Sequence, residues 1–285
     1  MHLMLKNPYI QIACLFLTVC AIYSGITIAF AVETNRDSLQ PHKALYKISL
    51  VEAKSGAQIV NVSGDMYYEM TMTCDAWLTD HRFNLRYEYA DAPSIQVKSN
   101  FATYESFDGK DFNFTSTRRR NGVIYEEIQG YAVLGPDGGQ AVYKNPEGVT
   151  FQLPKNTRFP MRHTLDLLAE AKKRKRFFNS TVFDGSDDEG PVEINAFIGE
   201  TVNVIAGMEA APKIDMTLLN TPAREMRLAF FPLNEVNAQA DYEMEMHFHD
   251  NGVVSNMVVE YQTFSIEQDL IALEKLSSPK CGLDK

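Results

Sequence analysis

From His42 onward apolar and polar residues alternate with a period of two, and only a pleated strand turns that pattern into one apolar and one polar face. Met66, Tyr68, Met70, Met72 and Cys74 share one parity, while Glu69, Thr71 and Thr73 take the other. Phe83, Leu85, Tyr87 and Tyr89 alternate with Arg82, Asn84, Arg86 and Glu88. Tyr242, Met244, Met246 and Phe248 alternate with Glu243, Glu245, His247 and His249. Turn residues punctuate the runs. Asn121 followed by Gly122 suits a primed hairpin turn, whose central residues both need positive φ, and Asn251 with Gly252 marks a second hairpin. Residues 136–139, Pro-Asp-Gly-Gly, mark a third turn. The chain therefore reads as mainly antiparallel β, with Cys74 on the apolar side of its strand and at least partly buried.

One segment breaks the rhythm. Residues 161–178 hold Leu165, Leu168 and Ala169, then the basic run Lys172, Lys173, Arg174, Lys175 and Arg176, then Phe177 and Phe178. That composition favours a helix whose cations complement the negative end of its dipole. No repeat or low-complexity linker divides the chain, so residues 42–285 are expected to form one domain behind a polar, flexible segment at 32–41.

The N-terminus reads as a leader. After Lys6, residues 10–31 carry no charge and end in Ala29, Phe30, Ala31, the small-x-small pattern that signal peptidase accepts. Cleavage after Ala31 is the expectation, and an uncleaved anchor helix is the competing reading. Cys20 follows Val19, and Cys14 lacks an aliphatic residue three positions earlier, so neither has a lipidation context. If the leader is removed, Cys14 and Cys20 go with it. Cys74 and Cys281 remain, and two cysteines in an oxidising compartment usually pair. Two separate buried thiols are the alternative. A bridge between positions 207 apart would stabilise by roughly 5 kcal/mol in the chain-entropy account. The chain has 37 acidic against 27 basic residues, a balance that excludes a polyanion such as nucleic acid as the natural partner.

Several clusters invite chemistry. Residues 183–190 are acidic, but Glu189 stands where a calcium-binding helix-loop-helix needs its turn glycine and Asn195 where it needs the bidentate Glu, so a solvated acidic turn is expected. His247 and His249 would point the same way on one strand, yet no third metal ligand is evident, and an exposed polar face is expected. Serines, His163 and Asp184 could supply a hydrolase, but there is no Gly-x-Ser-x-Gly elbow and no free thiol once the cysteines pair, so no catalytic residue is assigned. Two basic runs, Arg118, Arg119, Arg120 and Lys172 to Arg176, are candidate contacts for anionic headgroups or an acidic partner. A solvated face is the plainer reading. The Met- and aromatic-rich inner face could line a cavity for a lipid chain, or be ordinary core.

Ordered blocks of sequence carry a resemblance. Residues 41–50 (Pro-His-Lys-Ala-Leu-Tyr-Lys-Ile-Ser-Leu), 63–69 leading to Cys74, 104–110, 157–163, 183–187, 251–253 and 279–281 together resemble the EipB-type cell-envelope integrity proteins of alphaproteobacteria. Tyr104 replaces a residue more often Trp, and residues 206–212 look like an Ala/Pro-rich insertion. The resemblance implies a periplasmic antiparallel β-spiral, or broken barrel, with helical additions and a Cys74–Cys281 disulfide. It implies no enzymatic activity and no cofactor. The expected role is a scaffold or binding protein for envelope partners, a helical-repeat protein among them. The alternative is a carrier holding the acyl chain of a lipid or lipoprotein in a β concavity.

Overall fold

The computed structural model describes residues 38–204, 213–233 and 239–281, all within the unit Thr34–Lys285. The leader, residues 32–37 of the N-terminal segment and residues 206–212 lie outside the described residues. The alternating stretches form strands β1 (His42–Ala53), β2 (Ile59–Met72), β3 (Ala76–Tyr89), β4 (Ile95–Ser106) and β5 (Asp111–Arg120). They continue as β6 (Val123–Gly135), β7 (Gly138–Asn145) and β8 (Thr150–Leu153), followed by helix α1 (Pro160–Lys172). After it come β9 (Phe177–Val182), β10 (Val192–Val202), β11 (Ala223–Pro232), β12 (Tyr242–His249), β13 (Val254–Tyr261) and β14 (Phe264–Lys275).

All neighbours pair antiparallel in a single sheet ordered β8-β7-β6-β5-β4-β3-β2-β1-β14-β13-β12-β11-β10-β9. The first and last strands meet in the middle, so each half is a simple meander and the free edges are β8 and β9. Those edges do not zip together. The segment entering α1 crosses between them instead, where the Arg158 N–H donates to the Thr181 carbonyl and the Phe183 N–H to the Arg158 carbonyl. The sheet therefore stays open and curls as a spiral, as the family resemblance implied.

The inner faces build three apolar clusters. One packs α1 (Met161, Leu167, Leu168, Ala171) against Met70, Trp77 and the inward residues of β10 to β12. A second joins β1, β2, β13 and β14 around Ile48, Val62 and Ile266. A third fills β5 to β8 with Phe112, Phe114 and Tyr143, capped by Phe159 and Phe183. Gly185, at φ 65°, lays its backbone on the Phe114 ring so closely that a Cβ would sit 2.4 Å from Cγ. The central motif around Phe183 is thus a packing device. Only Asp188 and Glu189 of the acidic cluster are exposed, and Asp184 is half-buried with Oδ1 accepting from the Ser186 N–H, which corrects the expectation of a solvated turn.

The helix ends at Lys172, not at 178. Arg174 adopts φ 60°, its N–H donates to the Ala171 carbonyl, and the Lys175 N–H reaches back to that of Glu170. This pair of bonds is the αL stop that usually employs glycine, and it releases Phe177 and Phe178 into strand β9. Leu39 is buried and the Gln40 N–H donates to the Asn251 carbonyl, so the flexible segment expected at 32–41 does not extend to Pro41. Asn121 (φ 51°) and Gly122 (φ 85°) form the expected primed turn.

Cys74 and Cys281 are bridged, with their Cα atoms 5.5 Å apart. Both are exposed, contrary to the expectation that the bridge would be partly buried. Thr73 explains this: its Oγ1 accepts from the Ala76 N–H at 3.0 Å and its own N–H donates to the Ala76 carbonyl. The turn so formed ends β2 at Met72 and swings Cys74 off the inner row. The bridge thus ties the tail after β14 to the β2–β3 turn through the surface, and its effect lies in restricting the unfolded chain. Cys281→Ser should lower the melting temperature by several degrees and leave Cys74 open to intermolecular crosslinking. An unchanged melting point with reductant would show the bridge to be energetically idle.

Candidate functional site

Helix α1 begins without help from its own N-cap. Phe159 supplies no side-chain acceptor, and Pro160 needs none at the first helical position. The next two N–H groups, of Met161 and Arg162, both donate at 2.7 Å to the carboxyl of Glu105, which reaches them from β4 and is fully buried. Burial pushes the Glu105 carboxyl up to about 8, while its two backbone donors and the Arg162 charge pull the other way. The sheet thereby fixes where the helix starts and how it is turned.

Between α1 and the inner faces of β1, β2, β3, β12, β13 and β14 lies a cavity of about 320 Å³. Met66, Met70, Met161, Met244, Met246 and Met257 line it, six of the twelve methionines in the chain. Unbranched thioether side chains adapt to variable guests, which is why methionine recurs at accommodating surfaces. No Asp, Glu, Lys or Arg is among the described lining residues. The polar contributions come from Thr164, from Gln268, from Tyr46 and Tyr68, and from three histidines, His42, His81 and His163.

Register explains the grouping. Tyr68 stands opposite His81, and His81 opposite Phe101, so β2, β3 and β4 offer a lateral row of rings, with Tyr68 and His81 4.8 Å apart. His42 adds to the row at 5.4 Å from Tyr68, and its Nδ1 lies 2.7 Å from the Gln40 carbonyl. Gln268 interrupts an apolar row, facing Met257 on one side and Ile48 on the other. His163 comes from α1 and stacks on Phe178. Its Nε2 and the Gln268 Oε1 are buried without a hydrogen-bond partner in the protein. Burial lowers His42 and brings both His81 and His163 down to about 4, so the cavity is uncharged at neutral pH.

The arrangement does not assemble a hydrolytic triad. Asp166, one helical turn from His163, has both oxygens taken by Arg158 (2.7 Å) and Arg162 (3.1 Å). Asp184 is occupied in its own loop. His247 is half-exposed whereas His249 is fully buried, at the end of β12 where the pairing with β13 skips Ser255. There its Nδ1 lies 3.0 Å from the Thr221 carbonyl and its Nε2 3.1 Å from Ser255 Oγ. This corrects the expectation of an exposed histidine pair.

The two basic runs are placed differently. Arg118 pairs with Glu126 at 2.6 Å and donates to the Ser186 carbonyl. Arg119 and Arg120 are exposed at the β5–β6 tip beside exposed Val123, Ile124 and Tyr125, with Arg120 over the Tyr125 ring. In the second run Lys172 ends α1, Arg174 is the αL residue, Lys173 and Lys175 both pair with Glu170, and Arg176 pairs with Glu200.

This geometry defines a class: an open antiparallel β-spiral whose single α-helix, among the described residues, packs over an apolar cavity. The chain belongs to the EipB-like family, whose model matches residues 34–277. It is 27% identical over 274 residues to the cell envelope integrity protein EipB of Brucella abortus (strain 2308), covering 91% of this chain and 95% of that protein. A crystal structure described as a beta-barrel-like protein of domain of unknown function DUF1849, from Brucella abortus, superposes with a TM-score of 0.78 at 25% identity. It covers 84% of this chain and 99% of its own.

The histidines make a signed pH prediction. A histidine whose pKa is depressed by folding contributes stability above its unfolded value of about 6.5, and that stability is lost as pH falls through the folded value. For His163 the loss between pH 6.5 and 4 should be on the order of 3 kcal/mol. Denaturant titrations across this range should therefore show a shallower acid loss for His163→Phe than for the natural protein. Parallel curves would contradict a buried neutral histidine.

Proposed function

We propose that the protein is a non-enzymatic periplasmic binding protein that supports the integrity of the cell envelope, and that it does so as a carrier of an acyl chain. The observation that carries the binding role is the apolar cavity, walled by methionines and without a charged side chain among its described lining residues. A void of this size falls within the range of small-ligand sites. The envelope role draws on the relative named for it. The periplasmic location draws on the leader expected at residues 1–31 and on the exposed Cys74–Cys281 bridge, which an oxidising compartment preserves. No described helix is long and apolar enough to cross a membrane. The absence of a catalytic role draws on His163, whose carboxylate neighbour is committed to two arginines.

A second reading is a scaffold for an envelope protein partner, such as a helical-repeat protein. The β5–β6 tip favours it, because Val123 is 70% exposed there beside Arg119 and Arg120. Native mass spectrometry of protein taken from its own compartment separates the two readings. A stoichiometric lipid, or a lipidated protein, is expected for the carrier. Protein free of any acyl chain, with a reproducible crosslink from the β5–β6 tip, would replace the carrier by the scaffold.

A further inference from the structure

We infer that the cavity takes an acyl or alkyl chain joined to an uncharged polar group that carries a donor, a hydroxyl or an N–H amide, and that His163 Nε2 and Gln268 Oε1 receive that group. The inference rests on the carrier reading and names its ligand class.

Two observations lead there. The first is that two residues lining the cavity each keep a buried polar atom unused. His163 and Gln268 are 7% and 4% exposed, and each leaves one buried atom without a partner in the protein. Buried polar atoms in folded proteins are almost always satisfied, so an orphan pair at one cavity points to a group that arrives from outside. Neither position is a packing accident of a polar strand face. Gln268 stands in the inner row between Met257 and Ile48, where an aliphatic residue would fit the pattern. His163 sits on the face of α1 that Glu105 turns toward the sheet.

The second observation is the absence of any charged side chain in the described lining. An ionic head drawn into the cavity would lose its hydration and find no counter-charge, since burial keeps the histidines neutral. An uncharged head that can both donate and accept meets no such cost. Its donor suits the Gln268 oxygen, and the imidazole nitrogen can donate or accept according to tautomer. The whole volume of about 320 Å³ suits a flexible chain, with room for on the order of ten water-sized groups, head included, at roughly 30 Å³ each.

The test uses the full mature protein with N-phenyl-1-naphthylamine as a fluorescent reporter of the cavity. Dodecan-1-ol and monolauroylglycerol should displace it with one-to-one saturation, while dodecyl sulfate and dodecyltrimethylammonium displace it at least tenfold more weakly. His163→Phe and Gln268→Leu, which replace each orphan by an apolar group, should weaken the alcohol about tenfold while the reporter still binds. Ionic amphiphiles that compete as well as the alcohol would overturn the inference, as would variants that bind the alcohol like the natural protein. Those failures leave the carrier reading intact, whereas natively isolated protein free of any chain removes the reading itself. The mass of the native adduct distinguishes a free lipid from the acyl chain of a lipidated protein, and either supports the ligand class.

Discussion

The helix that closes the cavity is held by a carboxyl group from the sheet. Glu105 gives one oxygen to each of the first two free N–H groups of α1, inside the protein, where an unpaired carboxylate would be severely penalised. The bargain is mutual: the helix start needs acceptors that Phe159 lacks, and the buried carboxyl needs donors. Because β4 is paired over twelve residues with β3 and nine with β5, this contact turns the sheet into the reference frame for α1. Everything on the inner face of the helix inherits its position from it, including His163 and the Met161 wall of the cavity.

The open sheet explains why such a helix is needed. With β8 and β9 unzipped, the concave face would expose the methionine rows of β2, β12 and β13 to water. Burying them wholly would make a solid core, and closing the sheet would make a sealed barrel. The helix instead covers the concavity while leaving a void with polar atoms at its walls. Fold and candidate site are thus one construction, in which the chain junction between the two sheet edges is also the lid.

Much of the fold was legible in the sequence because alternation maps directly onto a pleated surface. The Met66 and Tyr242 runs, the Asn121 turn and the cysteine pair all reappear as strands, hairpin and bridge. The misreadings share one cause: local pattern does not show where a backbone leaves it. Thr73 ends β2 two residues before Cys74, Arg174 takes the αL place usually given to glycine, and His249 is buried at the strand end, where β13 bulges at Ser255. The site was harder still. A cavity-lining methionine and a core methionine read alike in sequence. Glu105, His42, His81 and Gln268 come from distant strands that only register brings together. Gln268 alone offered a cue, as the polar member of the otherwise apolar series Ile266, Leu270 and Ala272.

The central claim, that Glu105 positions the helix over the cavity, is tested most directly by amide hydrogen exchange in Glu105→Gln. A glutamine keeps the shape but has one acceptor oxygen in place of two, so one helix donor loses its partner. The account predicts that protection falls first at Met161 and Arg162, then along α1, and that the change spreads to the cavity strands but spares β5 to β7. Protection at α1 equal to that of the natural protein would mean that packing alone holds the helix, and would contradict the account.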